Sequence, residues 1–87
     1  MKWDTSAQFA PVILAFEAER ERVLVRTVQE AADALMRKWP IDDGEEFLAA
    51  VKACLDVMAR KAEPEDLRAA LIRAADEADV TVVAVLH

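Results

Sequence analysis

Hydrophobic and polar positions alternate with period two over residues 12–27. Val12, Leu14 and Phe16 fall on one side and Ile13, Ala15 and Glu17 on the other; then Val23 and Val25 oppose Arg22, Leu24 and Arg26. That pattern predicts a β-hairpin with one buried face. Its turn lies within Ala18-Glu19-Arg20-Glu21, which has no Gly, Asn or Asp, so a longer loop built on a type I turn is expected instead of a tight primed turn. From residue 28 the period changes to that of a helix. Thr27-Val28-Gln29-Glu30 has capping-box spacing, Val28, Ala31, Ala32, Leu35, Met36 and Trp39 form one stripe, and Pro40 ends it, predicting a first helix over about residues 28–38. Asp43 is the expected N-cap of a second helix, with Glu45 and Glu46 in its first turn, where the helix dipole favours negative charge. Phe47, Val51, Cys54, Leu55 and Met58 make its expected buried stripe, with Leu48 beside it. Ala49, Ala50 and Ala53 allow a neighbouring helix to come close, and Arg60 and Lys61 sit near the C-terminal end.

Glu63-Pro64-Glu65-Asp66 opens a third helix, because Pro at the first helical position loses no hydrogen bond. Leu67, Ala70, Leu71, Ala74, Ala75 and Ala78 give it an apolar stripe. The tail Val80-Thr81-Val82-Val83-Ala84-Val85-Leu86 is β-branched and nearly continuous in apolar character, the signature of a strand buried on both faces or paired with another chain. A lone hairpin is marginal in water, so the tail is expected to join it as a third strand. The fold class that follows is α+β, ordered β-β-α-α-α with a C-terminal third strand: one small domain over residues 1–87, its antiparallel sheet covered on one face by helices.

Composition narrows the setting. With 55% hydrophobic and 32% charged residues in 87, the chain reads as globular, with room for a single core. The lone Cys54 forms no internal disulfide, which fits a reducing cytoplasm. The start of the chain lacks the pattern of a cleaved signal, and the apolar run ending at Phe16 is shorter than the roughly 20 residues of a membrane span. A net charge of −6 repels polyanions and argues against nucleic acid as a partner.

The residues with chemical potential have plain structural roles. His87, the only histidine, is the last residue, a poor place to hold a general base. Cys54 lies on an apolar stripe, where a thiol behaves as a small inert hydrophobe. Asp42, Asp43, Glu45 and Glu46 lack the spacing of a calcium loop and suit helix capping. Gly44 is the only glycine, which leaves no phosphate-cradling loop, so no cofactor is expected. Arg20, Arg22 and Arg26 alternate with Glu17, Glu19 and Glu21, as on a solvated hairpin face with cross-strand charge pairs. Trp39 ends the first stripe and is expected to close the core, while Trp3 packs over an open edge or marks a binding surface.

Taken together, the spacing resembles a small bacterial family known as domain of unknown function 982. The likeness rests on Trp3, Pro11-Val12, Arg22, Glu30-Ala31-Ala32 with Leu35, the Trp39-Pro40 pair, Gly44, Ala50, Cys54, and Ala70, Ala74, Ala75, Glu77 and Ala78. Trp-Pro, then Gly, then Ala-x-x-x-Cys is its more specific part. The chain departs from the pattern in its hairpin, where a glycine is expected, and in a longer apolar tail. The resemblance implies a compact hairpin-plus-helices domain and carries no activity.

The expected function is therefore a non-enzymatic protein-interaction domain, self-associating as a homodimer through its sheet, with an unidentified protein as another possible partner. The candidate surface comprises Trp3, Ile13, Arg22, Leu24, Arg26, Val83 and Val85. The alternative is a nucleic-acid-associated regulator using the arginine-bearing hairpin.

Overall fold

The computed structural model describes residues 6–17 and 20–85. Strands β1 (Gln8–Phe16) and β2 (Glu21–Thr27) are followed by helices α1 (Val28–Arg37), α2 (Glu45–Met58) and α3 (Pro64–Glu77), then strand β3 (Thr81–Val85). The three strands form one antiparallel sheet in the order β2-β1-β3. The tail does join the hairpin, and it places β1 in the centre.

Strand β1 begins four residues before the alternation at Val12, and Pro11 lies within it. Proline gives no N–H to a ladder and is a poor fit to a central strand. The register with β2 shifts between Gln8 and Val12, so the missing donor falls where that ladder is already irregular. The carbonyl of Ala10 beside it accepts instead from Arg68 Nε of α3 at 2.9 Å. Arg68 thus ties the irregular start of the strand to the helix layer and gives a part-buried backbone carbonyl its partner.

From Val12 the side chains alternate as expected. Val12, Leu14, Phe16 and Val25 are buried on the helix side with Val28, Leu35, Leu67 and Leu71. Helix α3 packs on β1 and β3, α1 packs on β2, and α2 packs chiefly on α3 and also on α1. The small buried residues Ala50 and Cys54 of α2 and Ala70, Ala74 and Ala75 of α3 permit close packing of helix against helix.

Helix starts are satisfied in three ways. For α1, Thr27 Oγ1 accepts from Glu30 N at 3.1 Å, but the Glu30 carboxylate accepts from Arg26 N, one residue before the N-cap. For α3, the Asp66 carboxylate accepts from Glu63 N at 3.0 Å. For α2 the expectation fails: the N-cap is Gly44, not Asp43, and it offers no side chain. The acceptor comes from the far end of α3, where Glu77 Oε2 and Oε1 take the N–H groups of Glu46 and Phe47, each at 3.0 Å.

Helices α2 and α3 end alike, with Arg60 at φ 61° and Asp79 at φ 57°. The hydrogen bonds Lys61 N to Asp56 O and Arg60 N to Val57 O, and Val80 N to Ala75 O and Asp79 N to Asp76 O, are the paired bonds of a Schellman turn. Arg60 and Lys61 consequently lie just beyond α2, not in its last turn.

The burial pattern corrects the expected stripes in two places. Met36 of α1 is 67% exposed and Leu55 of α2 is 51% exposed, while Val51 and Met58 are half-buried. The stripe of α2 that enters the core is Phe47, Ala50, Cys54 and Val57.

Candidate functional site

Helices cover one face of the sheet. On the other, Ile13 lies opposite Leu24, and Ala15 lies between Arg22 on β2 and Thr81 on β3. Ile13 and Ala15 are half-buried, shielded by the neighbouring strands, and Leu24 is exposed. Strand β3 carries an extra residue where its pairing shifts between Ile13 and Leu14. That residue is Val83, which is 40% exposed. The outer face is thus a small aliphatic centre flanked by the exposed Arg22 and Arg26. The structure brings five of the seven candidate surface residues to this face; Trp3 and the Val85 side chain lie outside the described residues, although the Val85 backbone pairs with Val12.

Trp39 is half-buried and meets Phe16 edge to face, ring centroids 5.7 Å apart. It closes the end of the core as expected, with Nε1 buried and without a hydrogen-bond partner. Beside it is a cavity of about 430 Å³ lined by Phe16, Trp39, Pro40, Ala78 and Val80 together with the charged Glu17, Arg37, Lys38 and Asp79. A larger, shallow cleft of about 640 Å³ runs between β2 and α1 past Val23, Thr27, Glu30 and Asp33.

Cys54 is buried, and burial pushes its thiol up to about 11. At neutral pH it is therefore protonated and a poor nucleophile. Among the described residues no three His, Cys, Asp or Glu side chains gather to hold a metal ion, and no helix there is long and apolar enough to cross a membrane. His87 lies outside the described residues. Of the acidic residues around the start of α2, Glu46 in its first turn faces Arg73 at 3.7 Å, while Asp42, Asp43 and Glu45 are exposed.

Residues 10–82 match the model of a family described as "Protein of unknown function (DUF982)". The chain belongs to the DUF982 family. No curated protein and no solved structure matches it. In this DUF982 protein three of the more specific residues of the likeness, Gly44, Ala50 and Cys54, lie at the N-cap or on the buried side of α2. Gly44 leaves room for the Glu77 carboxylate, since a Cβ there would lie 2.0 Å from Glu77 Oε1. Ala50 and Cys54 form the buried side of the helix that Glu77 caps.

Sequence reasoning missed the exposed Met36, Leu48 and Leu55 as a surface, because two of the three were assigned to the interior. The signal was present in Leu48: an apolar residue one position from an already complete stripe has no place in the same core.

Proposed function

We propose that this DUF982 protein is a non-enzymatic interaction domain of the bacterial cytoplasm, self-associating as a homodimer through the uncovered face of its sheet. The supporting observation is the aliphatic centre formed by Ile13 and Leu24, paired across β1 and β2, with Val83 exposed on β3. An apolar sheet face without a helix layer is a natural site for a second sheet, and a two-fold axis covers both faces with one contact. Sedimentation velocity across a concentration series tests the reading: the wild-type chain associates, and Leu24→Glu abolishes this contact while leaving the circular dichroism unchanged. A wild-type chain that stays monomeric at high concentration removes it.

The nucleic-acid reading draws on Arg20, Arg22 and Arg26, all exposed along the hairpin. The charge of −6 weighs against it, because nucleic-acid binders normally display an excess of positive charge. Mobility shift at low salt decides this reading, since electrostatic binding is strongest there; an unretarded duplex ends it.

A further inference from the structure

Helix α2 carries two apolar stripes; the fold buries one, and of the other it takes up only Val51 and Met58 in part, leaving Leu48 and Leu55 exposed. Phe47, Ala50, Cys54 and Val57 are buried. Leu48, Val51, Leu55 and Met58 lie one residue later, about 100° further round the helix, and they repeat at the spacing of a coiled-coil seam. Leu48 and Leu55 are 55% and 51% exposed, with Val51 and Met58 half-buried between and beyond them. Met36 of α1, 67% exposed, flanks the first of these residues across a groove of about 540 Å³ that also includes Ile41 and Trp39. The exposed seam is about 15 Å long at the rise of an α-helix. Contiguous apolar surface of this kind marks a docking site.

The charges around the seam select its occupant. Lys52 and Asp56 neutralise each other at 2.7 Å, and Arg37 and Asp33 do so at 3.0 Å. The residues flanking the helix are polar along its axis: Asp42, Asp43 and Glu45 are exposed at the N-terminal end, and Arg60 and Lys61 are exposed just past the C-terminal end, followed by the exposed Glu63 at the start of α3. A helix of the same polarity laid antiparallel matches both ends. Laid parallel, it would set acid against acid and base against base. We propose that the occupant is a second copy of this chain, its α2 packed antiparallel on the first across Leu48, Val51 and Leu55, about a two-fold axis near Val51. Each Leu48 then lies beside the Leu55 of the other copy, both acidic ends meet basic ends, and the helix dipoles oppose.

This contact uses a different element from the sheet face and does not rest on that reading. A chain bearing both contacts assembles beyond a dimer. Sedimentation velocity of four full-length proteins separates them: the wild type exceeds dimer mass, Leu24→Glu and Leu55→Glu each give dimers, and the doubly substituted chain is a monomer. In the Leu24→Glu background, Asp42→Lys with Glu45→Lys, and separately Arg60→Glu with Lys61→Glu, give monomers alone and dimers when mixed in equal amounts. Complementation on mixing separates a lost contact from a lost fold. A monomeric Leu24→Glu chain, a Leu55→Glu substitution without effect on mass, or charge-reversed chains that stay monomeric on mixing would overturn the proposal. Monomeric Leu55→Glu would instead remove the sheet contact.

Discussion

Gly44 has φ −71°, a conformation open to any residue, so what this position requires is space, not backbone freedom. An added Cβ would lie 2.0 Å from Glu77 Oε1 and 2.9 Å from Ile41 Cδ1. Gly44→Ala therefore displaces the carboxylate that receives the N–H groups of Glu46 and Phe47. Loss of a helix cap costs about 1–2 kcal/mol, and Glu77→Ala should cost a similar amount. Because both substitutions break one interaction, the double variant should be little less stable than either alone. Urea midpoints measure all three, and fully additive losses would show that Gly44 and Glu77 act separately. Cys54 makes a second prediction, with the sign fixed by burial. Its thiol is raised from 9.0 to about 11 in the folded chain. Below pH 9 it is protonated in both states and adds no pH dependence. Between pH 9 and 11 the unfolded chain loses the proton while the folded chain keeps it, so stability falls by about 1.4 kcal/mol per pH unit. Cys54→Ala lacks this component, so whatever gap separates the two proteins at pH 8 should shift steadily against the wild type by pH 11. Parallel denaturation curves over that range would count against a buried thiol.

The hairpin loop shows how an element absorbs an unfavourable residue. Phe16 and Glu21 are the last pair, and Arg20 closes the loop at φ 51° with its N–H donated to Glu17 O at 3.2 Å. A side chain in this left-handed region costs about 1–2 kcal/mol that glycine avoids, partly offset by the greater freedom of glycine in the unfolded chain. Arg20→Gly should therefore stabilise the protein by about 0.5–1 kcal/mol, read as a higher thermal midpoint; a lower one would mean that the arginine side chain makes a compensating contact. Elsewhere the elements differ in how clearly the sequence announces them. Strands β1 and β2 are plain because a single buried face leaves no second way to read period two, and Val12, Leu14, Phe16 and Val25 all point inward. Helix α2 is less plain. Two apolar stripes stand side by side on it, and the choice between them depends on where α1 and α3 lie, which no local pattern encodes. Small Ala50 faces inward because α3 comes close, and the larger Leu55 faces out. Its cap was equally hidden, since Glu77 lies 31 residues from Glu46.

At the scale of the molecule, everything rests on β1 having a neighbour on each side. The sheet face proposed for association was legible from alternation alone: Ile13 and Ala15 oppose the core residues, and Leu24 falls among outward arginines. The helical seam was not, because recognising it requires knowing which stripe of α2 is spent on the core. Strand β3 is the last element in the chain, yet it pairs with the central strand from Val12 to Ala15. Val80 is buried and Val82 packs against the same core. Ending the chain after Asp79 removes both side chains and uncovers one edge of β1, including the backbone beside the fully buried Leu14. Each buried aliphatic side chain contributes roughly 1.5–3 kcal/mol, and a domain of this size is stable by only about 5–10 kcal/mol. The two lost valines and the lost ladder together are comparable with that whole margin, and the hairpin that remains is marginal by itself. The truncated chain should retain much of its helical circular dichroism but lose its sharp thermal transition, melting broadly as helices held by unspecific apolar contact do. If it still melts cooperatively within a few degrees of the full chain, two strands suffice to hold the helix layer. The valine-rich end would then serve association alone, not the fold.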